Sequence, residues 1–274
     1  MEINSKHILN KKIMDSKKII NEVFTRFKPE EVAITWTGGK DSTLGLWLIQ
    51  QVCEEEGISL PVVFTIDEYD SFDEIETFIK KYENEWNVNL VVCRNDDVVT
   101  AAGGDLGTMV QIKELNERNR QEIERIGYEE DEFPFEAESY VGNHLMKTVP
   151  FNLFLEEHNI KAVFQGLRWD EQAARAKDEY FTYRDPGELS PGHTRINPIL
   201  HFTERDVWNT NHAFNIPYNE LYAKGYRSLG AKSTSKKFAD IPAWEQDLEN
   251  TGERNGRRQD KEEAMEKLRK LGYM

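Results

Sequence analysis

A glycine-rich turn follows directly after a run of apolar residues in this chain. The apolar run covers residues 32–36, and residues 37–43 read Thr-Gly-Gly-Lys-Asp-Ser-Thr. A strand, a glycine turn and a helix start form an anion-binding device, because glycines let the backbone approach phosphate oxygens and the first helical N–H groups point at them. Lys40 adds a cation, and Asp41 stands where it could help hold a magnesium ion. The pattern favours a phosphate site over an ordinary turn in which Asp41 or Ser42 is the N-cap.

The spacing of the turn excludes two common phosphate loops. A Walker A loop needs G-x-x-x-x-G-K-[ST], but Lys40 is followed by Asp41, and Ile34 stands at the first glycine position. The dinucleotide fingerprint G-x-G-x-x-G is absent, because Gly38 and Gly39 are adjacent and no third glycine follows at the required step. The loop is therefore of another type, in which we expect Lys40 to face solvent when the site is empty.

Arginines follow a second predicted strand end. The apolar run 162–164 leads into Gly166 and Arg168, so both should open onto the same crevice as the glycine turn. Arg175 and Arg184 lie further along the same segment. Arginine suits oxyanions because it is always charged and donates two parallel hydrogen bonds. For Arg184 alone, a surface helix with Arg–Glu pairs is an equally good interpretation.

A third segment places polar residues just before a helix. Thr203 and Asp206 have the spacing of a capping box, which indicates a structural role at a helix start. Arg195 and Asn197 precede that start and are better candidates for the site. We expect Trp208 to lie in the core.

Apolar runs and helical periodicity alternate along the chain. Together they predict an α/β fold: a doubly wound, mainly parallel sheet with helices on both faces and the ligand at the carboxyl ends of the strands. The predicted elements are a helix over 8–27 closed by Pro29, a strand to Trp36, a helix after the turn, a strand over 61–66, a helix over 73–82, a strand over 88–93, a helix through Leu153 and Leu155, and a strand over 162–164. The organisation that follows is an N-terminal helix (1–30), a nucleotide-binding α/β domain (31–200) and a helical and loop extension (201–274) that completes the site.

The composition of the chain argues against several classes of function. A net charge of −15 argues against binding nucleic acid, since phosphate backbones are bound through basic surfaces. The sequence shows neither a membrane span nor a signal-peptide core, so we expect a cytoplasmic protein without a membrane partner. Cys53 and Cys93 are the two cysteines, and we expect both to be reduced, buried and inert. The acidic run 129–132, with Glu136 and Glu138, reads as a solvated loop.

These motifs resemble a known superfamily. Residues 37–43 resemble the SGGxDS pyrophosphate loop (PP-loop) of the ATP pyrophosphatases, with Thr37 for the first serine. Residues 197–208 and 216–230 are similar to the phosphoadenylylsulfate reductase family. Residues 166–185, and the tail motifs within 253–257 and 265–273, are similar to the small subunits of heterodimeric sulfate adenylyltransferases.

The resemblance implies an activity. The enzyme would cleave ATP between its α and β phosphates and transfer AMP to a small oxyanion such as sulfate, with Mg²⁺ on the phosphates and Asp41 as the implied metal ligand. The implied ATP-binding residues are Thr37, Gly38, Gly39, Lys40, Asp41, Ser42, Thr43, Gly166 and Arg195. The implied catalytic residues are Lys40, Arg168, Arg175 and Arg184. A separate GTPase large subunit is the implied partner, and self-association is left open.

Other functions stay open at this point. FMN adenylyltransferases (FAD synthases) share the Asn-Pro…Asp-Val-Trp and Gly-Tyr-x-Ser-Leu-Gly patterns. A reductase without its catalytic cysteine is a further alternative, because no cysteine follows Cys93 and thiol attack needs a thiolate. A tRNA-modifying enzyme is disfavoured by the acidic charge. A non-catalytic nucleotide-binding protein is disfavoured by the intact loop beside an arginine-rich segment.

Overall fold

A computed structural model of the chain describes residues 2–137 and 139–256. Parts of the tail motifs, within 257–274, lie outside the described residues, as does Glu138. The helices are α1 (Glu2–Arg26), α2 (Lys40–Glu56), α3 (Asp73–Glu85), α4 (Asp96–Ala101), α5 (Glu117–Arg125), α6 (Tyr140–Asn143), α7 (Val149–Glu157) and α8 (Glu204–Ala213). The strands are β1 (Val32–Thr35), β2 (Val62–Ile66), β3 (Leu90–Cys93), β4 (Met109–Gln111), β5 (Glu132–Pro134), β6 (Ala162–Phe164), β7 (Phe181–Arg184) and β8 (His193–Ile196).

Six of these strands form one twisted sheet in the order β3-β2-β1-β6-β8-β7. The neighbours run parallel except for β7, which pairs with β8 in the antiparallel direction. From β1 the chain first moves outward to β2 and β3, and it then returns to the other side of β1 as β6. This reversal creates a topological switch point between β1 and β6. Sheets of this kind bind ligands at the carboxyl ends of the strands that flank the switch point.

Helices cover both faces of the sheet. On one face Ile34 and Phe164 pack with Ile20 of α1 and Leu46 of α2. On the other face the strands pack against α7 through a separate cluster, whose buried members are Ala33, Phe64, Cys93, Phe154, Leu155, Ile160 and Val163. The predicted doubly wound α/β fold is confirmed.

The segment between β3 and α7 forms a small core of its own, which the sequence patterns did not predict. Strands β4 and β5 pair as an antiparallel ribbon, and Val110 and Phe133 from that ribbon pack with Val98 of α4 and Leu145. A π-helical turn, His144–Thr148, connects this core to α7. The acidic run 129–132 is exposed, and its last residue begins β5.

Local signals set the ends of several elements. Pro29 begins a 3₁₀ turn just after α1 ends. Thr203 and Asp206 form the predicted capping box at α8, where Thr203 accepts from the Asp206 N–H and Asp206 accepts from the Thr203 N–H. Trp208 is buried in the core, as expected.

Both cysteines lie in apolar surroundings. Cys53 and Cys93 are free and buried, and burial raises the pKa of these thiols to about 11 and about 12 respectively. Neither thiol is therefore a thiolate at neutral pH. Within the described part of the chain, none of the helices combines the length and the apolar character that crossing a bilayer requires.

The burial of α1 leads to a stability prediction. Ile20 is fully buried against the sheet, whereas Met14 on the same helix is 60% exposed. Ile20→Ala should lower the free energy of unfolding by about 2–5 kcal/mol, because it opens a cavity in the main core. Met14→Ala, the matched control, should change it by less than about 0.5 kcal/mol. Urea denaturation measures both, and equal effects would show that α1 is not part of this core.

Candidate functional site

The glycine loop, Thr37–Gly39, joins β1 to α2 at the switch point. Gly38 has a φ of +71°, a conformation that L side chains rarely adopt. Gly39 is the N-cap of α2, and the geometry shows no side-chain capping bond there. The Ser42 hydroxyl instead accepts from the Thr37 N–H at 3.2 Å and donates to the Gly39 carbonyl. Neither Asp41 nor Ser42 is the N-cap of α2.

The end of β6 touches this loop closely. A Cβ atom on Gly166 would lie 2.8 Å from the Ser42 backbone nitrogen and 2.9 Å from its Cα atom. Only glycine allows the two backbones to approach so closely. The structure therefore places the Gly166–Arg168 segment and the glycine loop in one site. Thr43 lies behind the loop, where its hydroxyl accepts from the Trp36 indole N–H at 3.0 Å.

Four ionised side chains meet at this point, and we call them the ion quartet: Lys40, Asp41, Arg168 and Glu253. Lys40 Nζ lies 2.5 Å from Glu253 Oε1 and 3.1 Å from Asp41 Oδ2. Arg168 donates to Asp41 through Nη1 and to Glu253 through Nη2. Lys40 and Arg168 are each only 1% exposed. The expectation that Lys40 faces solvent is therefore wrong, because its ammonium group turns inward to two carboxylates.

The charges of the quartet favour the ionised forms of Lys40 and Glu253, whereas burial raises the pKa of Asp41 above its ordinary value. Burial alone would lower the pKa of Lys40, but Asp41 and Glu253 together raise that pKa above its ordinary value. Burial would likewise raise the pKa of Glu253, but Arg168 and Lys40 hold it well below its usual range. Two cations and two carboxylates give a net charge near zero.

A second layer of polar residues fixes the quartet from behind. Asp170 accepts from Arg168 Nε at 3.0 Å and from the backbone N–H of Glu204 at 2.7 Å. Glu204 in turn pairs with Arg227 at 2.8 Å, and both of these side chains are buried. The Tyr222 hydroxyl accepts from the Lys40 N–H at 3.0 Å. These contacts tie α2, α8 and the segment after α8 into one frame.

The other candidate arginines are not members of the quartet. Arg175 pairs with Glu171, which also accepts from Arg254 at 3.1 Å. Arg184 is the last residue of β7 and lies opposite His193, the first residue of β8. It therefore lies at the amino ends of the parallel strands, whereas the glycine loop lies at their carboxyl ends. Arg195 lies within β8, where burial, and then Arg184, lower its pKa to about 9. The helical interpretation of Arg184 is wrong, because its segment forms an edge strand.

Three polar side chains form a row at the carboxyl ends of β1, β6 and β8. They are Thr35, Gln165 and Asn197, which follow or end neighbouring strands in matching register. Each has an oxygen that is buried and lacks a hydrogen-bond partner among the described residues. Buried acceptors are normally satisfied, so this row offers acceptors to a ligand with N–H or O–H groups.

Asp41 is the candidate magnesium ligand from the sequence. Within residues 2–137 and 139–256, no group of three or more His, Cys, Asp or Glu side chains is arranged to hold a metal ion. Mg²⁺ that arrives with nucleotide phosphates needs only one or two carboxylates, because phosphates and water supply its other ligands. Asp41, in the first turn of α2, is the carboxylate beside the loop, and its two oxygens face Lys40 and Arg168 in this structure.

Sequence reasoning missed several residues of this site. Thr35 and Gln165 could have been found as the first polar residues at the ends of two apolar strands. Glu253 and Tyr222 gave no such local signal, because they lie 213 and 182 residues from their partner Lys40.

Comparisons with known proteins identify the family of the chain. Residues 31–237 match the family model described as the phosphoadenosine phosphosulfate reductase domain. Sulfate adenylyltransferase subunit 2 from Pseudoalteromonas translucida is 25% identical over 227 residues, which cover 76% of this chain and 65% of that protein. The chain spans about half to two thirds of the length of such curated relatives.

Solved structures share the fold. Candida glabrata FMN adenylyltransferase, in complex with FAD and inorganic pyrophosphate, aligns with a TM-score of 0.60 at 22% identity, covering 84% of this chain and 66% of that one. Phosphoadenylyl-sulfate reductase from Candida auris aligns with a TM-score of 0.55 at 16% identity, covering 86% and 98%. With a family match over most of its length and this fold, the chain belongs to the phosphoadenosine phosphosulfate reductase domain family.

Proposed function

We propose that this protein is an adenylyltransferase that cleaves ATP between its α and β phosphates and transfers AMP to sulfate. One observation carries the proposal: Lys40 and Arg168, which follow two different strands, converge beside the glycine loop at the start of α2. Two buried cations beside a helix N-terminus are what a polyphosphate requires. The family match supports nucleotide chemistry of this kind.

In this proposal each part of the site has a separate task. The glycine loop and the first turn of α2 hold the β and γ phosphates, with Lys40 as the cation. The row of Thr35, Gln165 and Asn197 accepts hydrogen bonds from the ribose and the base. Mg²⁺ on the phosphates, held by Asp41, would neutralise charge on the departing pyrophosphate.

The reaction needs positioning more than proton transfer. Sulfate is already an anionic nucleophile, so attack on the α phosphorus requires no general base. The obstacle is repulsion between two anions, which the Arg168 guanidinium would screen in a water-poor site. Arg168 is the best placed of the sequence-predicted catalytic arginines, because it pairs directly with Asp41, whereas Arg175 pairs with Glu171 and Arg184 lies opposite His193 at the amino end of β8.

A cavity next to the quartet is the candidate acceptor site. It encloses about 520 Å³ beside Asp170, Glu204 and Arg227, with Leu248 contributing apolar surface. The Glu204 carboxylate is paired with Arg227 and that of Asp170 with Arg168. FMN, the alternative acceptor, would need a flat apolar slot for its ring system, and Leu248 is the one large apolar side chain among the residues that line this cavity.

The proposal extends to the cellular setting. Transfer of AMP to sulfate is unfavourable, so we propose a separate GTPase large subunit as partner, as the resemblance to heterodimeric enzymes suggests. Two free, buried cysteines are consistent with a cytoplasmic enzyme.

An acceptor screen tests the function directly. Pyrophosphate release from MgATP should depend on sulfate or molybdate, and molybdate should give the larger signal because its anhydride with AMP hydrolyses at once. The assay compares sulfate, molybdate, FMN and no acceptor, with and without a large subunit. Release with FMN but neither oxyanion would replace sulfate by flavin as the acceptor.

A glycine pair tests the loop. Gly39→Ala should fold, because its φ is −77° and the nearest atoms to a new Cβ lie at 3.4 Å or beyond. The added methyl group stands where phosphate oxygens approach, so turnover should fall by about tenfold or more. Gly45→Ala on α2 is the control, because its Cβ meets nothing within 4 Å and turnover should not change. Equal turnover in both variants would contradict the loop assignment. Lys40→Ala is less suitable, since it also leaves buried carboxylates unpaired.

The guanidinium geometry gives a further prediction. Arg168→Lys keeps the charge but loses the planar fork, so acceptor-dependent pyrophosphate release should fall about ten- to hundredfold. ATP affinity, measured by calorimetry, should change less. Arg120→Lys, on the exposed face of α5, is the control for an arginine outside the site. Unchanged release in a folded Arg168→Lys variant would remove Arg168 from the mechanism.

A further inference from the structure

The carboxylate of Glu253 bridges the two cations that the proposed function assigns to phosphate. One oxygen, Oε1, lies 2.5 Å from Lys40 Nζ, and the other, Oε2, accepts from Arg168 Nη2. Glu253 is 6% exposed, so this contact lies inside the site. Two oxygens that engage an ammonium and a guanidinium reproduce the way in which a phosphate group would be held.

Both cations already face carboxylates of the site. Arg168 directs its three nitrogens at Asp170, Asp41 and Glu253. Lys40 directs its ammonium group at Asp41 and Glu253, with the Arg227 carbonyl at 3.5 Å. A pyrophosphate group can therefore reach these donors only if a carboxylate withdraws, because an added anion beside both carboxylates is strongly repelled.

Glu253 is the carboxylate best able to withdraw. Asp41 is fixed in the first turn of α2, and Asp170 is fixed by the Glu204 N–H. Glu253 instead begins a short 3₁₀ turn, Glu253–Gly256, after a segment that Arg227 holds through the Leu248 and Thr251 carbonyls. Segments without long helices or strands open at lower free energy than the core.

We propose that Glu253 is a built-in competitor for the pyrophosphate subsite between Lys40 and Arg168. Its carboxylate occupies the subsite in the free protein and leaves when a pyrophosphate group binds, while Asp41 stays. The inference rests on the proposed function, since it takes Lys40 and Arg168 to be phosphate ligands. It adds an internal anion against which every phosphate ligand must compete.

Calorimetric titration with inorganic pyrophosphate tests the competition. Glu253→Gln keeps the size of the side chain and removes its charge, so pyrophosphate should bind about tenfold tighter than to the wild type. Glu249→Gln is the matched control from the same segment: Glu249 is paired with Arg205 on the exposed side, and its loss should leave affinity within about twofold. Circular dichroism of each variant without ligand checks the fold. If Glu253→Gln does not fold, Glu253→Asp replaces it. The shorter aspartate side chain cannot span both cations, so this variant should also bind pyrophosphate more tightly than the wild type.

Each outcome decides a separate question. Tighter binding by Glu253→Gln, with Glu249→Gln unchanged, supports the competitor. Equal or weaker binding by Glu253→Gln, with measurable binding by the wild type, overturns the competitor and leaves the proposed function standing. Equal gains in both variants would show a general charge effect and would also overturn it. Absence of binding in the wild type and in Glu253→Gln would overturn both the competitor and the proposed function.

Discussion

The buried ion quartet is the interaction on which the site depends. Lys40, Arg168 and Glu253 are buried, and the Asp41 side chain is 20% exposed. Removing one partner from a buried ion pair typically costs about 3–5 kcal/mol, because the remaining charge stays buried and unpaired. The quartet also joins segments that are 85 to 213 residues apart in sequence. The glycine loop, the end of β6 and the segment beyond α8 keep their relative positions because these charges require one another.

The strand order explains why the quartet forms where it does. Since β1 and β6 are neighbours at the switch point, the residues that follow them emerge side by side at one edge of the sheet. Gly166 permits the final approach, because any side chain at that position would meet the Ser42 backbone. The same geometry separates Arg184 from the site: its strand runs antiparallel and carries it to the opposite edge.

The parts of this structure that follow local rules could be predicted from sequence. The apolar runs, Pro29 and the Thr203 capping box each act within a few residues, and the predicted elements around them are present. The small core between β3 and α7 was not predicted, because its strands are only three residues long and its helices are short. The burial of Lys40 was predicted wrongly for a different reason. Its partner Glu253 is distant in sequence, and nothing near Lys40 indicates that an ammonium group at a glycine loop will find an internal carboxylate.

The negative net charge of the protein affects how the quartet can bind an anion. A protein with a net charge of −15 repels anionic ligands at long range, although salt screens that field within about 8–10 Å. Exposed cations would be drawn to the many surface carboxylates, whereas Lys40 and Arg168 are kept in fixed positions by carboxylates of the site itself. A site that is neutral when empty avoids the cost of two unpaired buried cations. For such a site, binding an anion is an exchange of one carboxylate for another oxyanion, and the mobility of the displaced carboxylate becomes part of the affinity.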